Sequence, residues 1–220
     1  MSRQILVTDF DGTVCQNEFY QLVRERLLPK DAPNYWEQFT SGSVSHLQVL
    51  QAYFSGIRAS EADVIAMLAD MQIEPRFAEL VRQLEEAGWE VIVASAGCGW
   101  YIERLLTPLD LSLKVHTNPG RWVGGDAGLA MEPPYDSPFY CAEHGINKAA
   151  IIQDALSQAD TVAFAGDGLT DVNGMLLLPP ENRFARRDCA AVLDQKGEPY
   201  QPFDRWAEVA ENLLQRSRAS

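Results

Sequence analysis

Long apolar runs are missing from this 220-residue chain. None approaches the roughly 20 residues that a membrane-spanning helix requires. The opening MSRQILVTDF has no apolar stretch before a small-residue cleavage site, so no secretory leader is expected. Cysteine is scarce: Cys15, Cys98, Cys141 and Cys189 are scattered and form no CxxC pair. That argues against a disulfide framework and for reduced thiols in the cytoplasm. Cys141 and His144 make a lone C-x-x-H, but structural zinc takes four ligands and no second pair stands nearby. Cations are short as well, 18 Lys and Arg against 31 Asp and Glu, for a net charge of −13. This balance argues against nucleic acid or an anionic membrane as the main partner. An anionic small molecule stays open, because a local metal and a few cations can dominate one pocket. There is no internal repeat and no low-complexity tract. With 46% apolar and 22% charged residues, the chain has an ordinary globular balance and the length of one domain, or of one domain with an insertion.

What is present is organised around Ile5–Val14, ILVTDFDGTV. The short apolar run Ile5–Val7, closed by a turn signal, predicts a strand buried on both faces. It ends in two carboxylates, Asp9 and Asp11, followed by Gly12, which permits a turn that other residues resist. Ligands of open parallel sheets bind outside the carboxyl ends of the strands, so both acids stand where chemistry is done. A polar strand-to-loop turn would also use Asp and Gly.

Residues 15–73 then read as helices with no strand between them: Glu18–Leu28, closed by Pro29; Asn34–Phe39; Ser43–Phe54; and a helix capped by Ser60 with Asp63 three residues on. Such a run interrupts the strand–helix alternation of a doubly wound fold and predicts an inserted helical cap. Beyond it, Pro75 starts a helix that Gly88 ends, Trp89–Ala94 is a buried strand and Ser95-Ala96-Gly97 its turn. Tyr101, Leu105 and Leu106 mark a helix, and Leu111–His116 a strand. The Gly- and Pro-rich stretch Asn118–Tyr140 predicts a hairpin flap. Ile146–Leu156 is helical, Thr161–Ala165 is a strand ending in Gly166-Asp167-Gly168, and Leu169–Leu178 is helical. Arg183–Ala185 is a last short strand, and Phe203–Leu214 an amphipathic closing helix. The fold class is α/β: a three-layer, doubly wound parallel sheet formed by 1–14 and 74–220, with a helical cap over 15–73.

Three strand ends thus carry polar residues: Asp9 and Asp11, Ser95, and Asp167 with Asp171 soon after. Lys148 begins a helix. Each has a structural alternative: a cap for Ser95, a solvated face for Lys148, a first-turn acid for Asp171. Together, DFDGT at Asp9–Thr13, Ser95 in VIVASAG, Lys148, and GDGLTD at Gly166–Asp171 resemble the haloacid-dehalogenase-like phosphatases over nearly the whole chain. Within that superfamily the chain resembles the phosphoserine phosphatase branch. It is closer still to the 2-hydroxy-3-keto-5-methylthiopentenyl-1-phosphate phosphatases of methionine salvage, whose tail Phe184–Arg186 and PYQPFDRW resemble.

The resemblance implies a Mg²⁺-dependent phosphomonoesterase acting on a small phosphate ester. Asp9 would be the nucleophile that forms an aspartyl-phosphate, and Asp11 the general acid and base. Asp9, the backbone carbonyl of Asp11, and Asp167 would hold Mg²⁺, with Asp171 holding a metal-bound water or orienting them. Ser95, the Ala96 backbone N–H and Lys148 would bind phosphate. Two carboxylates about 5 Å apart repel by roughly 3 kcal/mol at an effective dielectric of about 20, so four acids against one lysine call for a divalent cation.

For the leaving group, the resemblance draws attention to Glu18, Phe19 and Arg58. Glu18 falls where phosphoserine phosphatases meet the substrate amine. Their carboxylate-binding arginine has no counterpart in Ser43–Phe54, and Arg58 looks displaced. A methionine-salvage, sugar-like phosphate is therefore favoured over phosphoserine, with one or two of Phe19, Tyr35, Trp36, Tyr53 and Phe54 as an apolar wall. A dehalogenase, a non-catalytic phosphoacceptor and a scaffolding protein are the remaining rivals. The oligomeric state is left open.

Overall fold

A computed structural model describes residues 3–219. The strand Gln4–Thr8 (β1) is followed by four helices, Phe19–Arg26 (α1), Tyr35–Thr40 (α2), His46–Ser55 (α3) and Glu61–Met67 (α4). Next come Phe77–Glu86 (α5), Trp89–Cys98 (β2), Gly99–Leu106 (α6) and Lys114–Asn118 (β3). Two small antiparallel hairpins follow, Gly120–Trp122 (β4) with Leu129–Met131 (β5), and Tyr140–Cys141 (β6) with Gly145–Ile146 (β7). The chain closes with Lys148–Gln158 (α7), Thr161–Gly166 (β8), Val172–Met175 (α8), Arg183–Ala185 (β9), Arg187–Lys196 (α9), Gln201–Pro202 (β10) and Trp206–Ala219 (α10).

Six strands form one parallel sheet in the order β10-β9-β8-β1-β2-β3, with β1 paired to β2 and β8. Side chains alternate along a strand, so β1 feeds two cores. Leu6 packs into the cluster that holds Leu80, Phe77 and Trp206 from α5 and α10. Ile5 and Val7 face the opposite cluster, with Ile151, Ile152, Met175 and Leu193 from α7, α8 and α9. Burial on both faces explains why β1 and β8 are near-continuous apolar runs. Among the described residues no helix is long and apolar enough to cross a membrane.

The helices α1–α4 leave and rejoin the sheet through two paired segments. Gln16 N donates to Gln72 O at 3.1 Å, Asn17 N to Met71 O at 3.0 Å, and Glu74 N to Val14 O at 2.9 Å. Ser45 starts α3 with a reciprocal capping box to Gln48. The same helix rests on both hairpins: Leu47 N donates to Glu143 O at 2.9 Å, and the Gln51 amide to Met131 O at 2.9 Å.

Several boundaries differ from the sequence reading. β2 continues through Ser95-Ala96-Gly97 to Cys98, with its register against β3 shifted between Ala94 and Cys98, where a turn was expected. α5 begins at Phe77, not Pro75, and α10 at Trp206, not Phe203. Arg183–Ala185 is not the last strand, because β10 pairs beside it. The helix α9 was not expected at all. It buries only Cys189 and Leu193, one pair at i,i+4, too sparse a stripe for a periodicity reading.

Candidate active site

The carboxyl ends of β1, β2 and β8 and the start of α7 converge on one cavity of about 460 Å³. Asp9, Asp11, Ser95, Ala96, Lys148 and Asp167 all line it, and so does Glu18. Asp171 lies fully buried behind this floor. Gly12 lets the β1 loop come close: its φ is +69°, and a Cβ there would stand 2.0 Å from Asp167 Oδ2. Only glycine combines that conformation with that approach.

Lys148 is 3% exposed, and its ammonium reaches Asp9 Oδ1 at 2.8 Å and Asp171 Oδ1 at 2.6 Å. Burial alone would lower its pKa, but Asp171 and then Asp9 overcome that and raise it. Asp171 holds the loop as well as the lysine, since its Oδ2 accepts from Asp167 N at 3.0 Å and Gly168 N at 2.9 Å. Asp167 accepts from the Thr13 hydroxyl at 3.2 Å. Ser95 Oγ accepts from Gly97 N at 3.0 Å. The buried Asn118 amide donates to Ala96 O at 2.7 Å and to His144 O at 3.2 Å, tying the end of β2 that carries Ser95 to the hairpin that leads into Lys148.

Negative charge exceeds positive here. Asp9, Asp167 and Asp171 each present a carboxylate oxygen within 4.8 Å of the others, all buried. Burial, then Asp171 and Asp167, push the Asp9 pKa well up despite Lys148. Burial, then Asp171, raise Asp167 to about 6. Burial, then Asp167 and Asp11, raise Glu18 to about 8. Lys148 and the Arg187 guanidinium beside Asp167 and Glu18 do not balance this set of acids, and hard oxygen donors crowded this closely suit a hard divalent cation such as Mg²⁺.

Two of the candidate specificity residues stand elsewhere. Phe19 does not line the cavity: its ring is fully buried, although its backbone N–H donates to Asp11 Oδ1 at 2.9 Å. Arg58 does not line it either. Its guanidinium donates to Ser55 O at 2.9 Å and Ile57 O at 3.1 Å, and faces Asp126 at 3.9 Å. Of the aromatic candidates, Trp36 and Phe54 line the cavity while Tyr35 and Tyr53 do not. Tyr20, Phe39 and Leu50 complete that wall.

Sequence reasoning missed Arg187 at the start of α9. Its guanidinium reaches Asp167 Oδ2 at 3.2 Å, Gln16 O at 2.5 Å and Glu18 Oε1 at 3.5 Å, and it lines the cavity. Its φ of +49° is left-handed, an uncommon conformation for a side-chain-bearing residue. Tyr101 was read only as part of a helix stripe, yet its hydroxyl donates to Asp11 Oδ2 at 2.6 Å.

Comparison with known proteins gives a consistent picture. A sequence model described as haloacid dehalogenase-like hydrolase matches residues 6–176. The 2-hydroxy-3-keto-5-methylthiopentenyl-1-phosphate phosphatase of Brevibacillus brevis is 25% identical over 219 residues, covering 96% of this chain and 95% of that protein. The enzyme of the same name from Microcystis aeruginosa is 26% identical over 215 residues, covering 97% and 99%. Among solved structures, a substrate-bound phosphoserine phosphatase complex superposes with a TM-score of 0.67 at 16% identity, covering 96% of this chain and 98% of that one, a likeness of fold.

Proposed function

We propose, from the premise that this chain belongs to the haloacid dehalogenase-like hydrolase family, that it is a phosphomonoesterase that uses Asp9 as nucleophile. The observation that carries this reading is the buried cluster of Asp9, Asp167 and Asp171 at the base of the cavity, with Lys148 bridging Asp9 and Asp171. Asp9, Asp167 and the Asp11 carbonyl would hold Mg²⁺, whose charge offsets the carboxylates and the phosphate. Lys148, Ser95 and the Ala96 N–H take phosphate oxygens and stabilise the charge that develops on them. Asp9 attacks phosphorus, Asp11 gives a proton to the departing oxygen, and Asp11 then takes a proton from the water that cleaves the acyl phosphate. Residues 15–73 act as a cap that closes over the leaving group. The four unpaired thiols favour a reducing compartment, the cytoplasm. Hydrolysis of p-nitrophenyl phosphate in the presence of Mg²⁺, and its loss on chelation, tests the reading. Full activity after thorough chelation would sink the metal site.

The favoured substrate is an uncharged-tailed ketose-type phosphate, as named for the curated relatives, rather than phosphoserine. Phosphoserine needs an acid for its ammonium and a free fork-shaped cation for its carboxylate. Glu18 faces the cavity, but the cation beside it, Arg187, is held by Asp167, Gln16 O and Glu18 itself. Trp36, Phe39, Leu50 and Phe54 give the same cavity an aromatic and apolar wall. A carboxylate left unpaired costs about 1–3 kcal/mol or more, which is roughly ten- to a hundredfold in specificity. The expected kcat/KM for L-phosphoserine is therefore at least about tenfold below that for 2-hydroxy-3-keto-5-methylthiopentenyl-1-phosphate. A phosphoserine value equal or higher, abolished by Arg187→Ala or Arg58→Ala, would replace this substrate with an amino-acid phosphate.

The charge imbalance also sets a pH dependence. Asp9, Asp167 and Glu18 have folded pKa values above their ordinary ones, so each holds its proton more tightly in the folded state. Their contribution to stability is present at low pH and lost as pH rises, through about 6 for Asp167 and about 8 for Glu18. In EDTA, Tm should fall between about pH 5 and about pH 8, and saturating Mg²⁺ should flatten that slope by replacing the protons. A metal-free Tm that rises across the same window contradicts the assignment.

A further inference from the structure

We infer that Tyr101 is a positioning residue for Asp11, joining the seating of the helical cap to the aim of the catalytic carboxyl; this rests on the phosphatase reading above. Both Asp11 oxygens are held, each from a different part of the fold. Oδ1 accepts from Phe19 N at 2.9 Å, at the first residue of α1, and Oδ2 accepts from the Tyr101 hydroxyl at 2.6 Å, on α6 beside the sheet. The Tyr101 ring stacks on Phe19 at 4.3 Å and meets Phe54 of α3 edge-on at 6.3 Å. The residue that holds the acid is therefore the one on which two cap helices rest. Asp11 is gripped from both sides only when the start of α1 is seated.

The hydroxyl is the part of Tyr101 that packing does not explain. A phenylalanine would fill the same contacts with Phe19 and Phe54. Space has been kept for the oxygen: a Cβ on Gly97 would stand 1.9 Å from the Tyr101 hydroxyl and 2.9 Å from Asp11 Oδ2. Gly97, near the end of β2 two residues after Ser95, is bare where the phenol and the carboxyl meet.

The chemistry gives the bond its use. As the Asp9 oxygen bonds to phosphorus, the ester P–O bond breaks and its electron pair stays on the ester oxygen. That oxygen takes the Asp11 proton and departs as an alcohol. A carboxyl free to rotate is out of line with it for part of the time, and alignment decides the efficiency of such a transfer. p-Nitrophenolate leaves without a proton, so its departure is indifferent to the aim of Asp11.

Tyr101→Phe, assayed at saturating Mg²⁺, tests the inference. kcat for the best alkyl phosphate in a metabolite panel should fall roughly ten- to a hundredfold, the worth of one hydrogen bond to a charged group. The pre-steady-state rate of p-nitrophenolate release, a step that needs no proton from Asp11, should stay within about threefold, and both KM values within about twofold. Tyr101→Leu, which also lacks the hydroxyl and keeps an apolar side chain, should give the same split between leaving groups, and it stands in should Tyr101→Phe fail to fold. Equal losses with both esters, or none with either, overturn the role of Tyr101. Wild-type protein inert toward every ester with Mg²⁺ present would instead remove the phosphatase reading beneath it.

Discussion

Asp9→Asn is expected to abolish turnover while leaving the fold intact. The amide that replaces the carboxylate cannot attack phosphorus to form an acyl phosphate. Asp9 lies at the end of the central strand with Lys148 at 2.8 Å, and no other carboxylate in the proposed scheme is placed as nucleophile. Stability should move the other way. The side chains are nearly isosteric, and the change removes a carboxylate whose burial, with Asp171 and Asp167 close by, raises its pKa despite Lys148. Metal-free Asp9→Asn should therefore melt at or above the wild-type temperature near neutral pH. Steady-state turnover and thermal melting, measured together, separate lost chemistry from lost structure. Residual turnover above about a hundredth of wild type would refute the assignment, because covalent catalysis has no second nucleophile to use.

Lys148→Ala should damage both activity and stability. The ammonium holds Asp9 and Asp171 from inside the protein, and Asp171 in turn holds the N–H groups of Asp167 and Gly168. Removing one partner of a buried ion pair strands the other, at about 3–5 kcal/mol. Removing a preorganised charge that faces the transferring phosphoryl group costs about 10²–10³ in rate. The two losses have different remedies. Saturating Mg²⁺ should recover part of the melting temperature, since it restores positive charge to the cluster, but not the rate. A rate change under about threefold with an unaltered Tm would place Lys148 outside the machinery.

Much of this was legible because the informative residues sit at strand ends. Asp9 and Asp11 after an apolar run, Ser95 after another, and Asp167 after a third could be placed on one rim once the sheet was taken as parallel, and they line one cavity. What was lost lies where the signal is tertiary. Arg187 belongs to a helix with only two buried side chains, and it reaches Asp167 across 20 positions of sequence. Tyr101 looks like any apolar residue of a helix stripe, because its hydroxyl meets Asp11 across 90 positions. Arg58 drew attention as the nearest arginine, but sequence proximity carries no direction, and its guanidinium turns back to the carbonyls of Ser55 and Ile57. Phe19 contributes a backbone N–H rather than a ring, a role that residue type does not encode.

The paired segments 14–17 and 71–74 bear on how such a chain can vary. Chain departs from and returns to the sheet inside one short hydrogen-bonded ladder, so for the rest of the molecule everything between is a single long loop with its ends already joined. Closing such a loop depends only logarithmically on its length, about 0.6 kcal/mol for each doubling. Insertions and deletions in the segments that join these helices should thus leave the register of β1 nearly untouched, and the rim of carboxylates with it as long as Phe19 stays seated on Asp11. The helical side of the cavity can vary in this way while the strand ends that carry Asp9 and Asp167 stay fixed.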